Sequence, residues 1–131
     1  MSSPQQFVER FLRDKAAAYA SARARLTEVY AGYFAEPLSQ HAERFMPSET
    51  VTESVEDVRI RDDLALVIVG RRLRITSLRT RYRLAAVGED WRIIGIDHEC
   101  FRCQGTGKSG NGKCERCDRE GWKELDRSEA L

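Results

Sequence analysis

All four cysteines of this chain lie in one short segment, where they form two pairs with the same spacing. They are Cys100 and Cys103, followed by Cys114 and Cys117. A gap of two residues lets both sulfur atoms of a pair approach one ion from a tight turn, and two such pairs supply the ligands of a tetrahedral zinc site. Four thiolates leave no open position for water. The spacing therefore predicts one structural Zn²⁺ per chain and no metal catalysis.

Other chemistries of paired cysteines are weaker interpretations. A thioredoxin-like redox pair is disfavoured because neither pair stands where a strand runs into a helix. Residues 1–6 carry no secretory signal, so we expect a cytoplasmic protein, and disulfides are disfavoured in a reducing compartment. Iron also accepts four thiolates, and the spacing does not separate it from zinc.

The cysteine segment differs in composition from the rest of the chain. Residues 100–122 hold five of the nine glycines and only two large apolar side chains, Phe101 and Trp122. Such a stretch buries too little apolar surface to fold without a cross-link, which a metal ion can supply. We divide the chain into a larger domain over 1–98, a zinc-binding ribbon over 99–123 and a polar tail over 124–131.

Periodicity predicts that the larger domain begins with helices. Ser3, Pro4 and Gln6 form a capping box with proline at the first helical position. An apolar stripe at spacings of three and four follows, with a break expected near Ser21, and a short third helix is expected over 38–45. The stripe consists of Phe7, Val8, Phe11, Leu12, Ala16, Tyr19, Leu26, Val29, Tyr30, Tyr33 and Phe34.

The pattern then changes to a strand period. A strand over 55–60 precedes a continuous apolar run over 64–69, which is typical of a central strand and which Gly70 interrupts as at a β-bulge. Alternation over 78–86 predicts a half-buried strand, and 91–96 forms the last strand. Helices followed by an antiparallel meander indicate an α+β fold, with the helices packed on a curved antiparallel sheet.

The closing strands resemble those of the nuclear transport factor 2-like superfamily, which includes the SnoaL-like proteins. The shared features are a Tyr-x-Leu strand (Tyr82-Arg-Leu84), a Gly/Asp turn (88–90) and a Trp-x-Ile strand (Trp91-Arg-Ile93). The resemblance implies a cone-shaped domain that pairs through its sheet as a homodimer. Its members include immunity proteins, which bind without catalysis, and small isomerases, hydratases, dehydratases and epoxide hydrolases.

In the enzymes of this superfamily an Asp or His with tyrosine partners lies in the mouth of the cone. The resemblance therefore implies a set of candidate pocket residues, namely Tyr30, Tyr33, Tyr82, Asp97 and His98. Tyrosines on an apolar stripe are, however, typical of a packed core. No pair of carboxylates has a spacing that requires acid–base chemistry, so no catalytic residue is assigned and a non-catalytic protein is favoured.

The cysteine segment resembles the zinc module of DnaJ-type chaperones, whose repeat is Cys-x-x-Cys-x-Gly-x-Gly. Residues 100–107 match the full repeat, whereas the second copy, 114–121, carries Arg119 in place of the first glycine. The family module has four repeats and two zinc ions, and this chain has two repeats. The resemblance implies binding of one zinc ion. It implies chaperone activity only weakly, because half the module and the J-domain are missing from this sequence.

Arginines are concentrated on the two middle strands. The candidate partner patch consists of Arg72, Arg74, Arg79, Arg81 and Arg83. Such a patch can bind an acidic partner or phosphates, but we favour a solvated face neutralised by nearby acidic residues. Those expected to do so are Glu53, Glu56, Asp57, Asp62 and Asp63. With a net charge of +1, nucleic acid is disfavoured as a partner, and no apolar run reaches the length of a membrane span.

Three functions remain in competition. The favoured one is a non-catalytic zinc-containing binding module, in which the cone holds a protein partner or small ligand and the ribbon braces its rim. The second is a small SnoaL-like enzyme that uses the cone pocket, and a cone interior without carboxylate or histidine would exclude it. The third is a nucleic-acid or chaperone accessory that uses the ribbon, which co-purified RNA with salt-sensitive affinity would support.

Replacing Cys103 with Ser tests the metal assignment. The variant is expected to lose the one zinc ion per chain and the order of residues 100–122, because the ribbon has no other cross-link, while helices and sheet remain folded. Metal analysis and circular dichroism measure the two effects. An unchanged zinc content would show that the four-cysteine ligand set is wrong.

Overall fold

The first helix begins where the capping signature predicts. In a computed structural model of the chain, helix α1 spans Pro4–Ser21. The Gln6 backbone N–H donates to Ser3 Oγ and the Ser3 N–H donates to Gln6 Oε1, both at 3.1 Å. This reciprocal pair confirms the capping box. The break near Ser21 is confirmed too, because a second helix, α2, spans Ala24–Tyr33.

The described part of the chain comprises residues 2–21, 24–35, 52–72, 77–99, 108–109, 112–113 and 122–124. The predicted third helix over 38–45 lies outside it, as do Arg74 and all four cysteines.

The strands form an antiparallel meander with one short addition. The long strands are β1 Thr52–Arg61, β2 Leu64–Arg72, β3 Ser77–Val87 and β4 Asp90–Glu99. The short ones are β5 Lys108–Ser109, β6 Gly112–Lys113 and β7 Trp122–Glu124. One sheet has the order β1-β2-β3-β4-β7, and β5 pairs with β6 separately. Two helices and an antiparallel sheet confirm the α+β class.

Pairing irregularities lie at positions the sequence did not indicate. The register shifts after Val55 on β1 and after Arg83 on β3. The bulge expected at Gly70 is wrong, since Gly70 keeps regular pairing with both neighbouring strands. The Glu56 side chain crosses the strand at Gly70: a Cβ there would stand 2.7 Å from the Glu56 carboxyl group, so this exposed side chain would have to move aside.

Both helices pack on one face of the sheet, the helix-covered face; no described helix packs on the other face, the open face. The Phe11 ring is central to the core, with its centroid 5.3–6.1 Å from four other aromatic rings. Those rings belong to Tyr30, Tyr33, Phe34 and Tyr82. The strands contribute Ala65, Val67, Val69, Leu84, Trp91, Ile93 and Ile96. Alternate residues of β2, β3 and β4 therefore face opposite environments.

The prediction that Ala16 belongs to the buried helical stripe is wrong. Ala16 is exposed, whereas the preceding residue, Lys15, is only 1% exposed. Lys15 Nζ lies 2.7 Å from Glu53 Oε1, and Glu53 Oε2 lies 3.8 Å from Arg71 Nε. Burial lowers the pKa of Lys15 although Glu53 acts to raise it. A charged side chain is tolerated inside because a carboxylate from β1 meets it there.

A double-mutant cycle measures this buried pair. Glu53→Gln should destabilise the protein by about 3 kcal/mol, because it leaves the Lys15 ammonium buried without its counter-charge. Adding Lys15→Met to that variant should recover part of the loss, since no ammonium then remains to be desolvated. Urea unfolding followed by circular dichroism gives both values. Additive effects of the two substitutions would contradict a direct interaction.

Candidate functional site

The three candidate tyrosines lie in the packed core. Tyr30, Tyr33 and Tyr82 are all buried and contact Phe11. The Tyr33 hydroxyl donates to the Asp14 carboxylate; burial raises the pKa of Tyr33, and Asp14 raises it further. Burial also raises the pKa of Tyr82 well above its usual value. Both hydroxyls therefore remain protonated at neutral pH, so neither is available as a general base.

The structure does not bring Asp97 to these tyrosines. Asp97 is buried on the open face, where it pairs with arginines, whereas its neighbour Ile96 faces the helices. His98 is half-buried opposite Thr80, and its Nδ1 lies 3.1 Å from the Glu99 carbonyl oxygen. The five candidate pocket residues therefore do not form one cluster.

A carboxylate that sequence reasoning did not select lies between the helices and the sheet. Glu53 occupies an inward position of β1, two residues before the partly buried Val55. The sequence signal for this position is its spacing of two residues from Val55, which places both side chains on the same face of β1. The interior is thus not devoid of carboxylate, and the enzyme hypothesis remains a prediction. Glu53 is, however, already bound to Lys15 at 2.7 Å.

Two acidic residues of β4 neutralise the arginine patch on the open face. The Nε–H groups of Arg81 and Arg83 donate to the same Asp97 oxygen at 2.8 and 3.2 Å, and Arg79 donates to Glu99. These acids come from the neighbouring strand, and the acidic residues named from the sequence do not supply these ion pairs. That the whole arginine patch is a solvated, neutralised face stays a prediction, because Arg74 lies outside the described residues.

Gly95 makes room for this network. It stands directly opposite Arg83 in the β3–β4 register, and a Cβ at Gly95 would overlap the Arg83 guanidinium. The absence of a side chain lets the guanidinium lie flat on β4 and reach Asp97. Conformation is not the reason for glycine here; space is.

Trp122, which follows the cysteine segment in the chain, lies on β7 and contacts two arginines of this network. Its ring centroid lies 5.0 Å from Cζ of Arg81 and 5.9 Å from Cζ of Arg79. Cation–π contacts of this kind contribute about 0.5–1 kcal/mol each at exposed sites. Trp122 pairs opposite Glu99, so the sheet extends beyond the predicted domain boundary at residue 98.

Two antiparallel strand pairs, β4 with β7 and β5 with β6, lie before, between and after the cysteine pairs in the chain. Glu99 lies opposite Trp122, and Lys108 lies opposite Lys113. The two segments that connect these strand pairs, 100–107 and 114–121, therefore have the same length of eight residues. Each begins with a Cys-x-x-Cys pair.

The described residues themselves offer no alternative metal site. They contain no group of three or more His, Cys, Asp or Glu side chains that could hold an ion.

Aliphatic side chains are exposed at one end of the open face. Leu64 and Ile94 are 50% and 43% exposed. They border a concavity of about 380 Å³, the aliphatic concavity. Its lining consists of Arg59, Ile60, Arg61, Leu64, Ala65, Leu66, Arg83, Leu84 and Ile94. Exposed apolar groups around a hollow are typical of a contact surface.

A larger and more polar basin, about 740 Å³, occupies the other end of the open face. Hydroxyl groups and charges of both signs line it. The lining residues are Thr52, Ser54, Glu56, Gly70, Arg71, Arg72, Ser77, Leu78, Arg79 and Glu99. The open face is therefore apolar at one end and polar at the other.

Comparison with known proteins returns no relative. No protein-family model matches the chain, and neither a curated protein nor a solved structure is significantly similar to it. The resemblances to the nuclear transport factor 2-like superfamily and to the DnaJ-type zinc module therefore stay predictions. Neither described helix has the length and apolar character needed to cross a membrane.

Asp97→Asn tests the arginine network. The substitution removes the charge that two guanidinium groups share on a side chain that is only 4% exposed, and should destabilise the protein by about 2 kcal/mol. Asp57→Asn is the matched control, because its ion pair with Arg59 is exposed and should contribute less than about 1 kcal/mol. Urea unfolding compares them. Equal effects would contradict a structural role for Asp97.

Proposed function

We propose that this protein is a non-catalytic binding module that contacts a protein partner through the open face of its sheet, with a structural zinc ribbon at one side of that face. The observation that carries the proposal is the aliphatic concavity, with Leu64 and Ile94 exposed on a sheet face that no described helix covers. Apolar groups exposed together on a folded surface favour association with another protein.

The state of the interior groups supports binding over catalysis. Lys15 and Glu53 are held in a buried ion pair, and Asp14 accepts the Tyr33 hydroxyl. A general base must be within hydrogen-bond reach of a substrate proton. These groups instead bond to each other, Lys15 to Glu53 between α1 and the sheet, and Tyr33 to the exposed Asp14 between the two helices. A small SnoaL-like enzyme is accordingly the second candidate, and Glu53 is the residue that favours it.

The proposed zinc ion would be held by Cys100, Cys103, Cys114 and Cys117, one ion per chain, and would brace the rim of the domain. A three-residue strand such as β7 gains little stability from pairing alone. Cross-linking the segment that precedes β7 lowers the entropy lost when Trp122 docks. We accordingly assign the ribbon a structural role, and we place the protein in the cytoplasm, where thiolates stay reduced.

Affinity purification from cells that express the protein tests the proposal. A partner recovered with the wild type should be lost with Ile94→Glu, which puts a charge on the open face. It should be retained with Ala17→Glu, which puts the same charge on an exposed position of α1. Quantitative mass spectrometry compares the three samples. Equal recovery of every protein with both variants would sink the proposal.

A further inference from the structure

The aliphatic concavity is formed by the turn after β1 and by the bulge of β4. Arg61 pairs with Leu64 across the turn and Arg59 pairs with Leu66, which places these four side chains on the open face at the end of the sheet. The register shift in the β3–β4 ladder leaves Ile94 without a pairing partner on β3, and its side chain is exposed. The bulge therefore supplies one wall of the concavity and the turn supplies the other.

Three guanidinium groups surround this apolar floor. Arg59, Arg61 and Arg83 all line the concavity, and no carboxylate is among its lining residues. Arg59 pairs with Asp57 at 3.3 Å, with both side chains largely exposed, so this pair is weak and easily exchanged. Arg83 is held by Asp97 at 3.2 Å, which fixes its position beside the floor.

The surroundings of Arg61 differ from those of its two neighbours. Arg61 is exposed, and no carboxylate of the described residues lies within ion-pair distance of it. Of the three rim arginines, it is therefore the one whose charge is most available to a ligand.

We propose that the aliphatic concavity binds a segment of a partner protein in which one apolar side chain is flanked by aspartate or glutamate. This rests on the proposed function and names the partner's chemistry. The apolar side chain removes water from Leu64, Leu66 and Ile94, which favours binding in proportion to the apolar area covered. The flanking carboxylates meet the arginine rim, with Arg61 as the principal contact, and bidentate pairs fix the orientation.

Charge decides against a second copy of this chain as the occupant. A two-fold interface places the same patch of both subunits in contact. Arg61, for which no ion pair with a described residue is seen, would then approach the same patch of the partner, and like charges brought together across an interface oppose association. An acidic segment converts the same rim into attraction.

Two synthetic peptides with blocked ends test the proposal. One has leucine flanked on each side by two acidic residues, and the other has leucine flanked by lysines. Methyl NMR titration should show the acidic peptide shifting Leu64, Leu66 and Ile94, with affinity that falls several-fold as salt rises. The lysine peptide should cause no shift there.

Substitutions locate the binding site. Arg61→Gln should weaken acidic-peptide binding by about tenfold, the loss of one charge-assisted hydrogen bond, and Leu64→Ser should do so by a similar factor. Val87→Ser is the matched control, because Val87 is 54% exposed and outside the concavity; it should leave affinity unchanged. Unfolding curves establish that each variant remains folded.

Several results would overturn the proposal. Equal affinity for both peptides would reject the preference for acidic flanking residues. Unchanged binding by Arg61→Gln and Leu64→Ser would reject the aliphatic concavity as the binding site. A concentration-dependent dimer in ultracentrifugation that Leu64→Ser abolishes makes a second copy the occupant. Partner loss with Ile94→Glu in the absence of acidic-peptide binding rejects this inference while retaining the proposed function.

Discussion

The register between β3 and β4 determines both faces of the sheet at once. On β3, Tyr82 and Leu84 alternate with Arg81 and Arg83, so a slip of one residue would expose the aromatic core and bury the arginines. Asp97 holds two of those arginines from the neighbouring strand. The core and the ion-pair network therefore favour the same register, and every other contact on the open face depends on it.

The same register divides the open face into regions of different chemistry. Where β4 presents Asp97, the arginines are neutralised and Trp122 stacks against them. Beyond the bulge, Ile94 projects into a region whose arginines surround aliphatic side chains. The register shift between β3 and β4 thus separates a polar network whose charges are paired with each other from an apolar surface that a partner could cover. That separation is the physical basis of the binding role proposed for this protein.

The helix-covered face is held together by aromatic packing and one buried ion pair. Burial in the aromatic cluster around Phe11 raises the pKa of Tyr33 and Tyr82, and the one carboxylate that the described part of β1 directs inward is bound by Lys15. A buried ion pair adds little net stability compared with well-packed apolar groups. It does penalise any arrangement of α1 that separates the two charges. The interior is in this respect better suited to fixing the position of a helix than to proton transfer.

Local features were determined by the sequence alone, and partners distant in the chain were decided by the tertiary structure. The capping box of Ser3 and Gln6, the break near Ser21 and the alternation on β3 depend on residues close in sequence, so their periodicity predicts them. The burial of Lys15, the crossing of Glu56 over Gly70 and the pairing of Asp97 with Arg83 depend on residues brought together from separate elements. Spacing along the chain carries no record of such encounters, because long-range contacts are selected by packing and charge in the folded state. The cysteine spacing is a local signal of the first kind, and the arginine-rimmed concavity is a product of the second.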